Sequence, residues 1–167
     1  MAKKAANPDK MANHSTFRIL TLGCKVNQYE SELLREQLFA GGLIEPPDNY
    51  PADIYIVNTC TVTAQSDAKC RKIIRHIAKE NSKAKIYVTG CYAERDAEIL
   101  QKMPNVEKVV NNSGKPDLAK IILGKTFQES IMPFGISGFE EHTRAFIKIQ
   151  DGCDEFCSYC IIPHVRG

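Results

Sequence analysis

Four apolar, β-rich runs recur along the chain, and a turn and then a helical pattern follow each one. The first run, residues 17–22, leads into Gly23-Cys24. Its helix is opened by Asn27 with Glu30 three residues on, runs to about Ala40 and is stopped by Gly41-Gly42. The second run, 53–58, ends at Thr59-Cys60, and a helix over 64–80 follows. In it Cys70, Ile73, Ile74 and Ile77 form one apolar stripe at i, i+3, i+4, i+7. The third, 85–89, ends at Gly90-Cys91, with a helix over 94–102. The fourth, 106–110, ends at Asn111-Asn112; Pro116 suits the first turn of a last helix and Gly124 its end.

Strands that alternate with helices form right-handed crossovers, which give a parallel sheet covered on both faces. The expected fold over 17–124 is therefore α/β, an open doubly wound parallel sheet of flavodoxin-like type. Residues 1–16 are basic but lack the apolar segment of a secretory signal, so they read as a disordered arm. Residues 125–143 hold Pro133, Gly135 and Gly138, show no period and read as a linker. Residues 144–150 alternate as one more strand, which opens a second unit over 144–167. The 25% charged and 43% hydrophobic residues are ordinary for a globular protein, and no apolar run approaches a membrane span. A net charge of +2 permits nucleic-acid binding without arguing for it. No G-x-G-x-x-G or Walker loop is present.

Seven cysteines, an odd number without an export signal, argue against a disulfide framework. Reduced, clustered thiols in the cytoplasm point to metal. Cys153, Cys157 and Cys160 stand at C-x3-C-x2-C. A [4Fe–4S] cube normally takes one thiolate per iron, so three thiolates leave one iron open to a small molecule. The alternatives are a zinc knuckle completed by His164, or a reducible pair at Cys157 and Cys160. Cys24, Cys60 and Cys91 lie 36 and then 31 positions apart, yet each stands just past a strand. The carboxyl ends of parallel strands share one edge, where ligands bind, so topology would gather these three into a second trio. Cys70, on an apolar helix face, reads as core.

Together, Thr21-Leu-Gly-Cys24-Lys-Val-Asn-Gln28, Val57-Asn-Thr-Cys60, Val88-Thr-Gly-Cys91 and Cys153 through Gly167 resemble the methylthiotransferases, a radical S-adenosylmethionine (SAM) family. Lys25-Val26-Asn27-Gln28 looks like the branch that modifies N6-threonylcarbamoyladenosine beside the tRNA anticodon. The resemblance implies two [4Fe–4S] clusters, held by Cys24, Cys60 and Cys91 and by Cys153, Cys157 and Cys160. It implies SAM near Tyr159 and Arg166, and chemistry carried by clusters rather than by catalytic side chains. The implied reaction replaces the adenine C2 hydrogen with a methylthio group through a radical made from SAM. An electron donor such as a flavodoxin or ferredoxin and a tRNA are the implied partners.

Radical SAM domains are full or partial barrels of about 200 residues or more. The chain is therefore expected to be the N-terminal part of such an enzyme, carrying only the first barrel strand and its cluster loop and inactive alone. Rival expectations are a non-catalytic iron–sulfur or sulfur-carrier module, a methylthiotransferase for another modified adenosine, and a zinc-binding adaptor. Lys69, Arg71, Lys72, Arg75, Lys79, Lys83 and Lys85 form a basic window that suits either phosphates or solvent.

Overall fold

The four apolar runs become four parallel strands: β1 (Phe17–Thr21), β2 (Ile54–Thr59), β3 (Lys85–Gly90) and β4 (Val106–Val110). The computed structural model describes residues 15–124, 133, 135–138 and 147–167. Strands pair in the order β1-β2-β3-β4, with Ile19 beside Ile56 and Ile56 beside Tyr87. Every residue of β2 and β3 after the first is buried, as expected for central parallel strands covered on both faces.

The helices are α1 (Lys25–Ala40), α2 (Ala64–Glu80), α3 (Cys91–Arg95), α4 (Ala97–Gln101) and α5 (Leu118–Leu123). Thr63 caps α2, its Oγ1 accepting from Ser66 N at 3.2 Å. Successive strand side chains point to opposite faces, so each central strand feeds two cores. Tyr55, Val57, Ile86 and Val88 pack with Cys70, Ile74 and Ile77 of α2 and with Tyr92 and Leu100. On the other face Phe17, Ile19, Ile56 and Tyr87 pack with Leu34 and Leu38 of α1 and with Leu118 and Leu123.

One parallel bridge, Thr16 to Ile44, lies outside the four strands. There Phe17 N donates to Ile44 O at 2.9 Å. Ile44 follows α1, so the chain first steps outward past β1 and then returns to β2 through the proline-rich loop. Counted with this one-bridge edge, the spatial order is that of a flavodoxin-like sheet. It also explains why α1 and α5 share one face while α2, α3 and α4 share the other.

Several expected boundaries move. Helix α1 starts at Lys25 rather than at Asn27, because Asn27 is buried in tertiary bonds instead of capping. The helix expected over 94–102 begins at Cys91 and breaks at Asp96 into α3 and α4. Thr16, assigned to the disordered arm, is buried, and its N and Oγ1 donate to the Asp53 carboxylate at 2.9 and 2.7 Å. The rest of that arm up to residue 14 lies outside the described residues. So does most of the linker; within it, Pro133 O accepts from Gln37 Nε2 at 3.2 Å. Residues 144–146 of the expected extra strand also lie outside, while 147–150 form no strand. A short helix, α6 (Ile162–Arg166), follows the C-x3-C-x2-C loop. No helix among the described residues is long and apolar enough to cross a membrane.

Candidate metal centre

Cys24, Cys60 and Cys91 all stand at the carboxyl edge of the sheet. Cys24 is the cap residue of α1, Cys60 follows β2 directly, and Cys91 is the first residue of α3. Cys60 and Cys91 are buried, and Cys24 is exposed. Gly23 has φ +103°, and a Cβ there would lie 2.8 Å from Cys60 Sγ. Gly90 has φ +96°, and its Cβ would lie 2.3 Å from Thr59 O. Both backbone conformations suit glycine, and both leave room for nothing larger.

Two polar side chains tie the three cysteine turns together. Asn27 Nδ2 donates to Leu22 O and to Thr59 O, each at 2.8 Å. One amide thus joins the backbone ahead of Cys24 to that ahead of Cys60, and Cys24 Sγ lies 3.8 Å from Asn27 Oδ1. Thr59 Oγ1 donates to Thr89 O at 2.6 Å and accepts from Tyr92 N at 3.2 Å and Ala93 N at 3.3 Å. It therefore couples the end of β2 to the turn that carries Cys91. Asn58 Nδ2 completes the seam, donating to Asn27 O at 2.9 Å and Ser31 Oγ at 3.0 Å.

The second trio lies in a loop closed on itself: Cys153 N donates to Gly167 O at 2.7 Å, and Cys160 N to Cys157 O at 3.0 Å. Cys157 is exposed, and Cys153 and Cys160 are half-buried. Tyr159 is 90% exposed, and Phe156 meets His164 edge to face at 6.1 Å.

This loop reaches the first trio through Arg166. Its side chain is only 4% exposed. Nη1 donates to Glu30 Oε1 at 2.9 Å and to Asp151 Oδ1 at 2.6 Å, and Nη2 meets Glu30 Oε2 at 3.1 Å and also Asn27 Oδ1. Lys115 Nζ donates to Glu30 Oε2 at 2.6 Å. Burial pushes the Cys91 thiol up, and Cys60 adds to this, while Arg166 and Lys115 pull it back down. Burial works against the Arg166 charge, but Glu30 and Asp151 outweigh it and hold the guanidinium above its ordinary range. Burial likewise opposes the Glu30 carboxylate, yet Arg166 and Lys115 keep it below the usual range.

Among the described residues, no three His, Cys, Asp or Glu side chains converge as on a single metal ion. Neither Cys24, Cys60 and Cys91 nor Cys153, Cys157 and Cys160 with His164 are gathered that tightly. A four-iron cube spreads its thiolates wider than one ion does, and the donor chemistry at the sheet edge, thiols against glycine backbone, fits such a group. Cys70 is fully buried on α2, its thiol pushed up to about 12 chiefly by burial, and it stands apart from both trios. Lys69, Lys72, Arg75, Lys79, Lys83 and Lys85 are exposed, whereas Arg71 donates to Tyr92 Oη at 2.6 Å.

Asn27, Thr59, Glu30 and Lys115 were not singled out as site residues. The Asn27-x-x-Glu30 spacing did carry a signal, but it read as a helix start. Nothing in the sequence links Lys115 to Glu30, since 85 positions separate them.

Fold and site define a thiol-edged α/β domain to which a second cysteine loop is ion-paired. The chain belongs to the uncharacterized protein family UPF0004, whose model matches residues 16–111. That span holds Cys24, Cys60 and Cys91. The chain is 43% identical over 153 residues to the threonylcarbamoyladenosine tRNA methylthiotransferase MtaB of Chlamydia pneumoniae, covering 91% of this chain and 36% of that protein. It is 36% identical over 160 residues to the MtaB of Aquifex aeolicus (88% and 39%). It is 33% identical over 172 residues to the tRNA-2-methylthio-N(6)-dimethylallyladenosine synthase of Sphingopyxis alaskensis (95% and 38%). The resemblance to the methylthiotransferases is borne out. The chain spans little more than a third of the length of these relatives.

Proposed function

We propose that the chain is the cluster-bearing N-terminal part of a cytoplasmic tRNA methylthiotransferase acting at C2 of N6-threonylcarbamoyladenosine. One observation carries this reading: Asn27 and Thr59 tie the turns of Cys24, Cys60 and Cys91 into one edge, and Arg166 docks the other cysteine loop there. Cys24, Cys60 and Cys91 would hold one [4Fe–4S] cluster, and Cys153, Cys157 and Cys160 the other. When bound, the clusters and SAM would supply the methyl group and the one-electron chemistry that no side chain provides.

The chain's own residues have the simpler task of holding these groups in place. Gly23 lets backbone lie against the Cys60 sulfur, and Gly90 lets the turn before Cys91 lie against the end of β2. Tyr159 offers an exposed aromatic face for the SAM adenine. Arg166, expected near the SAM pocket, is held by Glu30 and Asp151 and borders Cys91, which would place that pocket beside the first trio. The preference for the threonylcarbamoyl branch rests on Lys25-Val26-Asn27-Gln28 and on the names of the MtaB relatives.

Anaerobic reconstitution with iron and sulfide tests the reading. The chain should take up about eight irons, for two cubes. Serine at Cys24, Cys60 and Cys91 together should halve that content. Unchanged iron would remove the sheet-edge site, and stoichiometric zinc without sulfide would favour an adaptor.

A further inference from the structure

Five charged side chains from distant parts of the chain meet beside the first trio. Glu30 comes from α1 and Lys115 from the turn before α5, while Lys148, Asp151 and Arg166 flank the second cysteine loop on both sides. Glu30 is the hub. It accepts from Lys115 at 2.6 Å, from Arg166 at 2.9 and 3.1 Å, and from Lys148 at 3.4 Å. Asp151 takes the remaining arms, from Lys148 at 2.7 Å and Arg166 at 2.6 Å. The side chains of Glu30, Lys115 and Arg166 are 10%, 12% and 4% exposed.

Buried ion pairs of this kind are poor devices for plain stability, because desolvation offsets much of their attraction. What they do well is specify one arrangement over others. Here the arrangement is a docked loop. Few apolar contacts anchor residues 147–160: Ile147, Ile149, Phe156 and Tyr159 are 84, 92, 75 and 90% exposed. After the loop, α6 packs against α3 with Val165 buried and Ile161, Ile162 and Pro163 half-buried, and Asn112 Nδ2 donates to the Val165 carbonyl. For residues 147–160, charge therefore carries the docking that apolar burial does not. The three cations also outnumber the two carboxylates, and Arg166 and Lys115 lie close enough to Cys91 to pull its thiol down. A surplus positive charge thus borders Cys91.

We propose that Glu30 is a positioning residue that latches the Cys153–Cys160 loop over the sheet-edge thiols by gripping Arg166 and Lys148. The purpose assigned to the latch, holding two thiolate groups face to face, rests on the reading above. The latch itself does not, and the metal-free protein tests it.

Amide hydrogen exchange is measured on the 167-residue chain under reducing, chelated conditions, for wild type and for Glu30→Gln paired with Lys115→Met, which leaves no buried lone charge. Exchange across 150–167 should speed up about tenfold or more, with β2 and β3 unchanged, because charged hydrogen bonds to the loop are lost while the core is not. Lys148→Met with Asp151→Asn touches no core residue and serves if the first variant fails to fold. It should also speed exchange in 150–167, by a smaller factor. Glu30→Asp should restore part of the protection. The latch is overturned if 150–167 exchanges as in wild type in the folded variants, or if every strand loosens equally. Loss of loop protection together with unchanged iron in the serine variants would separate a true latch from a mistaken cluster.

Discussion

Asn27 Nδ2 lies 2.8 Å from Thr59 O, which ties the first turn of α1 to the residue before Cys60. The same nitrogen lies 2.8 Å from Leu22 O, so one buried amide bridges the ends of β1 and β2. Asn27→Ala would leave the buried Thr59 carbonyl and the half-buried Leu22 carbonyl short of a donor. The expected loss is about 2–6 kcal/mol, at roughly 1–3 kcal/mol for each unsatisfied group, read from urea unfolding. Iron uptake at the sheet edge should fall with it, and a variant as stable as wild type would show that the bridge is ornamental.

Gly90 separates strain from collision. Its φ is +96°, and an added Cβ would meet Thr59 O at 2.3 Å. Gly42 has φ +86° with nothing within 4 Å of the added carbon. Gly42→Ala should cost about 1 kcal/mol from backbone strain, and Gly90→Ala about 3 kcal/mol or more from strain plus displacement of β2. Thermal unfolding of the pair measures the difference.

Cys70 supplies a pH dependence whose sign can be worked out. Its thiol rises from 9.0 to about 12 on folding, chiefly through burial. Unfolded chains release this proton near pH 9 while folded ones hold it, so the stability it contributes is present below pH 9. That contribution fades as pH climbs from 9 towards 12. Replacing it by Ala should flatten that alkaline decline, cost about 1–2 kcal/mol at neutral pH, and leave iron content unchanged. Loss of iron would make Cys70 a ligand after all.

Lys69, Lys72, Arg75 and Lys79 face solvent on α2. Their joint replacement by Gln should move stability by less than about 0.5 kcal/mol per site. If the stripe only faces solvent, the slope of log affinity for tRNA against log salt stays put. A drop approaching about 0.7–0.9 per lost cation would make α2 an RNA surface.

Much of the fold was legible because parallel sheets impose a strong pattern. β2 and β3 are covered on both faces and read as unbroken apolar runs, and the glycines after β1 and at the end of β3 mark their turns. The α2 stripe of Cys70, Ile74 and Ile77 was equally plain, since period and burial agree there. The edge at Ile44 was not legible, because a single bridge between two loop residues has no periodicity to betray it. Asn27 and Glu30 misled for a related reason: a capping pattern and a pair of tertiary hydrogen bonds use the same residue types.

By itself the sequence determined the α/β alternation, the position of Cys24, Cys60 and Cys91 just past strands, and the kinship with the methylthiotransferases, because spacing and residue type are local properties. Tertiary structure alone decided that Arg166 would meet Glu30 and Lys115 beside Cys91. Such a meeting depends on which charges are buried together, and burial belongs to the folded chain rather than to any stretch of it.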